Sequence, residues 1–413
     1  MEDLVDLDHT RYLHSQLPTL LSRSRSGSSL HLAAQAISYA TWEKSRSRGC
    51  DKGSNAGELY AQALAALGEA IRDPVEAKSD ETLYTVLLLS GYETITFNSE
   101  ALPAWGTHVD GAAALVKTRG NENFSTPLAC MMFLFIRRNS IQSHVQTSTP
   151  VDPIFEDREE FLSSYENIED RLNSKTTRIT QLQAWVNNVL SQSSWDLEED
   201  TVSEVLRTAE DLDFDLADWA FWASTQWPYS TIVRMESYNL SSSPDSTFVP
   251  DEIHRYPNIY VARTWNLYRV SRLIIQSIIS RISTLSTTKC SSNHTRMDAL
   301  NKSMVSQICA SIPFLLGYDC SELKHYFCSS PNPLWPQCLP SRPRESNNTG
   351  KFSLIWPLYV ASSVESVPEI QRGWLRDQLS WIAGTGEAHA QVLRECKSQT
   401  LMGRPEAFRF DCV

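Results

Sequence analysis

Apolar residues recur at intervals of three and four along most of the chain. A helix completes a turn about every 3.6 residues, so this spacing gathers apolar side chains on one helical face, whereas a half-buried strand needs alternation. One such group precedes Pro74, which stops a helix. The pattern predicts an all-α protein with a single large multi-helix domain. The residues of this group are Tyr60, Leu64, Leu67 and Ile71.

A second apolar stripe is bounded by signals for the start and the end of a helix. Pro103 suits the first turn of a helix, and Gly120 suits the left-handed backbone that often follows the last turn. We therefore predict one helix between them. Its apolar face comprises Trp105, Val109, Ala112 and Val116.

Two segments are apolar on nearly every helical face, which is typical of buried central helices. They are residues 128–136, preceded by Pro127 as the predicted first helical residue, and residues 270–282 apart from the arginines and serines of that segment. We predict that the core lies there.

Residues 196–227 are acidic and predict one or two helices with a separate apolar face. That face contains Leu212, Leu216 and Trp219. The acids are interpreted as a solvated surface. They are Asp211, Asp213, Asp215 and Asp218.

Further helices are predicted near the C-terminus, where the apolar spacing returns. One carries Ile370, Trp374 and Trp381 on a single face, and the Gly384-Thr385-Gly386 sequence that follows is interpreted as its C-cap. Serine-, proline- and asparagine-rich stretches at 241–250, 283–295 and 329–350 predict surface loops. We expect a flexible lead-in over residues 1–28, the helical domain over 29–397 and a tail over 398–413.

The net charge of −12 and the pI near 5.3 oppose loose binding to nucleic acid or anionic lipid. The first residues are acidic rather than basic and apolar, and no apolar run approaches the roughly 18 residues of a membrane span. The sequence thus predicts a soluble intracellular protein with no membrane contact, whose nine cysteines are reduced thiols.

Signatures of common active sites are missing from the sequence, including the nucleophile elbow, the H-E-x-x-H motif and the P-loop. Cys320, His325, Cys328 and Cys338 offer zinc-binding atoms but lack the close C-x2-C pair, so we interpret them as a loop with thiols. His108 has no partner that the sequence can identify and is interpreted as structural. We assign no catalytic, cofactor-binding, metal-binding or DNA-binding residue.

The second stripe also resembles a known family. The residues from Trp105 to Gly120, with His108, Gly111 and Arg119, follow the W-x2-H-x2-G-A-x2-L-x3-R-G pattern of the fungal-specific transcription factor domain. Later blocks resemble the same family in the same order, and the resemblance extends from about Ser29 to Lys397. The motif residues in these blocks, which we expect to be structural, are Trp265, Tyr268, Arg269, Pro313, Trp356 and Pro357.

The family normally begins with a Zn2Cys6 cluster that presents a helix to the major groove. Cys50 is the only cysteine before Cys130, so the sequence offers no such module. The resemblance therefore implies a nuclear transcription regulator or co-regulator that acts through a partner, either a DNA-binding zinc-cluster relative or a second copy of itself. It also implies control of metabolic genes, such as a secondary metabolite cluster.

A small-molecule effector is a further expectation, because aromatic-rich helical domains can form apolar clefts with a few polar anchors. Arg137, Arg138 and Arg269 are the candidate anchors. Two alternatives stay open, a helical scaffold that binds other proteins and an enzyme of a type that no motif identifies.

Overall fold

A computed structural model describes residues 9–46, 55–96, 102–120, 123–156, 162–191, 199–234, 248–284, 291–329 and 348–396. Within these ranges it contains fourteen α-helices and one two-stranded ribbon, which confirms the all-α prediction. None of the described helices is long and apolar enough to cross a membrane. The helices are α1 (His9–Arg23), α2 (Ser29–Arg46), α3 (Asn55–Arg72), α4 (Asp80–Thr96), α5 (Leu102–Arg119), α6 (Pro127–Thr147), α7 (Ile168–Ser191), α8 (Glu199–Gln226), α9 (Ile259–Ser283), α10 (Ser291–Leu315), α11 (Cys320–Ser329), α12 (Asn348–Ser362), α13 (Glu369–Gly384) and α14 (Ala388–Glu395).

Contacts divide the chain into two compact units. The first comprises Met1–Val145 and Val151–Thr177, and the second comprises Gln146–Pro150 and Arg178–Val413. The division falls within α7. The extent of one helical domain from residue 29 to residue 397 remains a prediction.

Helix α1 lies inside the stretch that the sequence predicts to be a flexible lead-in. Leu13 and Leu20 are buried on its inner face, and the Tyr84 hydroxyl donates a hydrogen bond of 2.7 Å to the Leu13 carbonyl. Ordered structure therefore begins earlier than predicted. The serines and arginines at 22–29 form the end of α1 and its connection to α2, and their polarity hid the helix before them.

In the first unit, α2 packs against α3 and α4 through small side chains. Ala36, Ala40 and Ala56 form a buried cluster with Tyr92, whose ring stacks on that of Tyr60 at 4.4 Å. Alanines at a helix contact let the two backbones approach closely, because almost no side chain separates them.

The predicted helix over the first stripe is present as α3, but its predicted face was partly wrong. Leu67 is buried, whereas Leu64 and Ile71 are 37% and 43% exposed. Alanines supply the rest of the buried face, which is why a search for large apolar residues chose the wrong side. The buried residues of α3 are Ala56, Ala63, Leu67 and Ala70.

Helices α5 and α6 agree with the sequence at both of their boundary signals. Gly120 follows α5 with a φ of 77°, and Pro127 is the first residue of α6. The predicted face of α5 is buried at Val109, Ala112 and Val116, while the side chain of Trp105 lies outside the described residues. Most of 128–136 is also buried, as predicted.

In the second unit, α9 forms the centre and packs against α8, α10 and α12. Asn258 caps its first turn, accepting a hydrogen bond of 2.9 Å from the Val261 amide. Buried residues continue along its whole length, which confirms the predicted core helix. Helix α12 also packs against α13, and α13 packs against α14.

Helix α8 is one continuous helix with the predicted buried face of Leu212, Leu216 and Trp219. The interpretation of its acids as a purely solvated surface was partly wrong. Asp213 accepts hydrogen bonds of 2.6 and 2.8 Å from Arg272, and Asp215 accepts one of 2.6 Å from Arg178. These pairs join residues far apart in sequence, so the local pattern could not indicate them.

A short antiparallel ribbon is the one element that the all-α prediction did not include. Strand β1 (Ser230–Arg234) pairs with β2 (Glu252–Arg255), and the register shifts by one residue between Thr231 and Val233. Strands of five and four residues are too short for alternation to reveal. Of the loop predicted at 241–250, residues 241–247 lie outside the described part of the chain.

The two other predicted loops are shorter than expected, because helices begin before each predicted loop ends. Helix α10 begins at Ser291, inside the predicted loop 283–295, and α12 begins at Asn348. In α13, Trp374 is buried, but Ile370 and Trp381 are 50% and 45% exposed, so the predicted face was again only partly correct. Gly386 has a φ of 95°, in agreement with the predicted C-cap.

Candidate functional site

Arg119 of the family motif forms a structural junction at the end of α5. Its guanidinium pairs with Asp80 in the first turn of α4 at 2.5 Å and donates to the Asn123 carbonyl at 2.9 and 3.2 Å. It also lies over the Phe124 ring, 5.0 Å from the centroid. This arginine therefore fixes the start of α4 and the chain after Gly120.

Other residues of this motif give less information. Gly111 is exposed, and a Cβ added to it would meet no described atom within 4 Å, so the structure provides no steric reason for glycine there. His108 lies on α5, but its side chain, like that of Trp105, is outside the described residues.

The α9 motif builds a buried polar core around Arg269, which is 0% exposed. Its Nη1 donates to Asn266 Oδ1 at 2.7 Å, and its Nε donates to Gln307 Oε1 at 3.2 Å. Asn266 in turn donates to the Ser311 hydroxyl at 2.9 Å. The arginine thus connects α9 to α10.

Three aromatic rings, those of Tyr229, Tyr256 and Trp265, surround the same guanidinium. We name these rings together with Arg269 the Arg269 cage. The guanidinium carbon lies 5.4 Å from the Tyr229 centroid, 5.9 Å from that of Tyr256 and 6.0 Å from that of Trp265. Burial, together with the smaller effect of the Arg269 charge, lowers the pKa of the neighbouring His254 to about 4, so this histidine is neutral near pH 7. His254 and Tyr256 were not predicted to belong to this cluster, because the ribbon was not predicted, and His254 lies on its strand β2 while Tyr256 follows that strand.

The remaining motif residues are also buried in the second unit. The Tyr268 hydroxyl accepts a hydrogen bond of 3.2 Å from Arg272, and the Trp356 ring stacks on Tyr359 at 5.6 Å. Pro313 and Pro357 lie within α10 and α12. These surroundings explain the motif residues as parts of the core.

Arg137 and Arg138, predicted as effector anchors, bind carboxylates of their own unit. Arg137 pairs with Glu166 at 2.8 Å and with Asp170 at 3.7 Å, and Arg138 pairs with Glu169 at 3.1 Å. We name these five residues the acid–arginine cluster. Its guanidiniums are committed to stabilising the contact between α6 and the start of α7.

Asp170 belongs to a capping box in this cluster. Its carboxylate accepts a hydrogen bond of 3.0 Å from the Asn167 amide, and Asn167 Oδ1 accepts one of 3.1 Å from the Asp170 amide. Burial raises the pKa of Asp170 to about 7, against a lowering effect of Arg137. Two cations face three carboxylates, so a proton on Asp170 balances the charge of the cluster.

We predict that Asp170→Asn removes a pH dependence of stability. The unfolded carboxyl ionises near 3.8 but the folded one only near 7, so its stabilisation is complete below the lower value and is lost as pH rises to the upper one. Wild type should lose up to about 1.4 kcal/mol per pH unit through this window relative to the variant. Thermal unfolding at pH 4 to 7 measures the difference. Asp218→Asn, on an exposed carboxylate, should keep the wild-type profile, and parallel profiles for wild type and Asp170→Asn would contradict the prediction.

A cavity of about 560 Å³ lies in the second unit and is lined by α9, α10, the α12–α13 connection and α13. Leu273, Met297 and Val364 give it apolar walls, and Arg281 and Arg372 give it cations. Neither arginine was predicted to line a cavity, because helix spacing in the sequence does not indicate where three helices leave a space between them.

The structure describes only part of the set of three cysteines and one histidine that offers zinc-binding atoms. Cys320 and His325 lie on α11, the side chain of Cys328 is not described, and Cys338 lies outside the described residues. Among the described side chains, no group of three or more histidine, cysteine, aspartate or glutamate residues could hold a metal ion. Burial raises the pKa of Cys320, which disfavours its thiolate.

Comparison with known proteins agrees with the motif. Residues 14–150 match the model of the fungal specific transcription factor domain, the family that the sequence motifs resemble. That family is one of transcription factors. No solved structure was found to match.

One relative is described individually. It is the transcription factor dbaG of Emericella nidulans, which is 23% identical over 333 residues, covering 80% of this chain and 74% of that protein. The similarity therefore extends well beyond residues 14–150 into the second unit.

Proposed function

We propose that the protein is a nuclear transcription regulator or co-regulator that controls a set of metabolic genes through a DNA-binding partner. The observation that carries the proposal is the fungal specific transcription factor domain at residues 14–150. The transcription factor from Emericella nidulans, similar over 80% of the chain, supports the same class.

The charge of the chain supports an indirect route to DNA. A protein that binds phosphates gains affinity by releasing counterions through lysine and arginine, whereas this chain carries a net charge of −12. Several of its arginines are also committed to internal contacts, including Arg119, Arg137 and Arg269. A partner with a basic module would supply the affinity that this chain lacks.

Helix α8 offers a surface suited to such a partner. Phe214 and Phe221 are 73% and 78% exposed and, being seven residues apart, lie on the same helical face. Glu210, Asp211 and Asp218 are exposed on that face as well. We name it the acidic aromatic stripe.

The stripe complements a basic amphipathic helix. The two phenylalanines of the stripe would insert between the apolar side chains of that helix, and the carboxylates of the stripe would pair with the lysines or arginines of the helix. Charge attraction also increases the rate of encounter and disfavours acidic partners. The proposed occupant is therefore a basic helix of the DNA-binding partner.

Gene deletion with transcript profiling tests the regulatory proposal, and the double variant Phe214→Ser with Phe221→Ser tests the stripe. We expect the double variant to change the same transcripts as deletion and to lose chromatin occupancy while its protein level stays normal. Val75→Ser, at a position 80% exposed elsewhere, is the matched control and should behave as wild type.

Different outcomes separate the alternatives. Specific binding of the isolated protein to a short duplex at about 0.15 M salt, weakening as salt rises, would replace the indirect route by direct DNA contact. Unchanged transcripts with loss of a metabolite would favour an enzyme. Unchanged transcripts with loss of a protein complex would favour a scaffold.

A further inference from the structure

Four residues that line the cavity in the second unit each carry a buried polar atom with no hydrogen-bond partner among the described residues. These atoms are Arg281 Nη1 on α9, Asn301 Oδ1 on α10, Ser366 Oγ in the α12–α13 connection and Arg372 Nε on α13. Buried polar atoms normally find partners, because they lose their hydrogen bonds to water. The cavity wall is therefore formed by polar side chains from four separate segments whose hydrogen-bonding capacity the described residues leave unfilled.

Arg281 is the most informative of these groups. Its Nε donates to the Ser277 carbonyl at 3.3 Å, but no described carboxylate forms an ion pair with it. Burial lowers the pKa of this guanidinium to about 10. By contrast, Arg137, Arg138 and Arg272 all have carboxylate partners. Arg281 is thus a partly buried cation that lacks a counter-charge.

The other residues that line the cavity indicate which chemical group could pair with Arg281. Arg372, which pairs with Glu369, adds a second guanidinium with a free Nε–H. Ser366 can donate or accept, and Asn301 Oδ1 can accept from a hydroxyl or an amide. Asp298 and Glu365 also line the cavity, but both are exposed, so their charges are better solvated than the buried guanidinium atoms.

We propose that this cavity binds a small organic carboxylate with an apolar body and one hydrogen-bond donor. The carboxylate would accept hydrogen bonds from Arg281 and Arg372, and the donor would meet Asn301. Leu273, Met297 and Val364 would contact the apolar body. A volume of about 560 Å³ suits a metabolite rather than a simple ion.

The binding claim concerns the isolated protein, while its role as an effector site rests on the proposed function. Purified full-length protein would be titrated with benzoate, salicylate, hexanoate, benzamide and inorganic phosphate, with melting temperature and calorimetry as readouts. We expect the carboxylates to raise the melting temperature. Benzamide, which has the same apolar body without the charge, should have little effect.

Variants assign the binding to this cavity. Arg281→Gln should weaken carboxylate binding at least about tenfold, because a charge-assisted hydrogen bond is lost. Without ligand, this variant should be as stable as wild type or more so, since an unpaired cation is removed. Arg372→Gln should also weaken binding. Arg296→Gln, on an exposed arginine of α10 outside the cavity lining, should change nothing.

Three results would overturn the proposal: no melting shift with any carboxylate at millimolar concentration, equal binding of benzamide, or wild-type affinity in Arg281→Gln. Phosphate as the strongest probe would replace the organic acid by an anion site of another kind. Because these measurements need no DNA and no gene expression, they can fail while the regulatory proposal stands, and the reverse also holds.

Discussion

Replacing Arg269 by alanine is expected to lower the free energy of unfolding of the second unit by about 3 to 5 kcal/mol, the cost typical of removing one member of a buried charged network. The side chain is completely buried, so its removal leaves a void. It also leaves Asn266 Oδ1 and Gln307 Oε1 without the guanidinium that donates to them. The rings of Tyr229, Tyr256 and Trp265 lose the cation that they surround.

Urea unfolding followed by circular dichroism measures this loss. Arg269→Lys should recover only part of it, because an ammonium cannot reproduce the planar fork that reaches both amides. Arg234→Ala is the matched control. That arginine is 66% exposed and pairs with Glu252 at the surface, so its removal should cost less than about 1 kcal/mol. Equal stability of Arg269→Ala and Arg234→Ala would refute the role of the cage.

Trp265→Ala is expected to destabilise the protein by a similar amount, about 3 to 5 kcal/mol. The indole is 4% exposed and makes edge contacts with Trp219 at 5.5 Å and Tyr229 at 5.2 Å. Its Nε1 donates to the Trp227 carbonyl at 3.0 Å, which ties α9 to the segment after α8. Soluble yield and melting temperature should therefore both fall.

Two further variants separate size from hydrogen bonding. Trp265→Phe keeps most ring contacts but leaves the Trp227 carbonyl without its donor, so about 1 to 3 kcal/mol should be lost. Trp381→Ala removes an indole that is 45% exposed and should cost much less than Trp265→Ala. A melting temperature of Trp265→Ala equal to that of Trp381→Ala would show that burial of Trp265 contributes little.

Local features of the fold could be predicted from the sequence. Pro127 and Gly120 have geometric preferences that depend on their own backbone, so they marked the helix boundaries correctly. Residues 270–282 of α9 are largely apolar apart from arginines and serines, and a segment with so many apolar side chains is stable only when it is buried.

Features that depend on distant residues could not be predicted. The partner of Arg138 is Glu169, and that of Arg272 is Asp213, and no local pattern connects either pair. Arg269 was expected to anchor a ligand, but the amide, hydroxyl and aromatic groups around it are brought together only by the fold. The alanine face of α3 was missed because alanine is apolar without being large.

The Arg269 cage has one more consequence, which concerns protons. Amides and aromatic rings surround its guanidinium, the pKa of Tyr256 is raised to about 12 by burial, and His254 stays neutral until the pH falls to about 4. None of these groups exchanges a proton between pH 5 and 7, whereas Asp170 in the first unit does so near pH 7. Mild acidification would therefore alter the charge of one polar cluster and leave the other chemically unchanged.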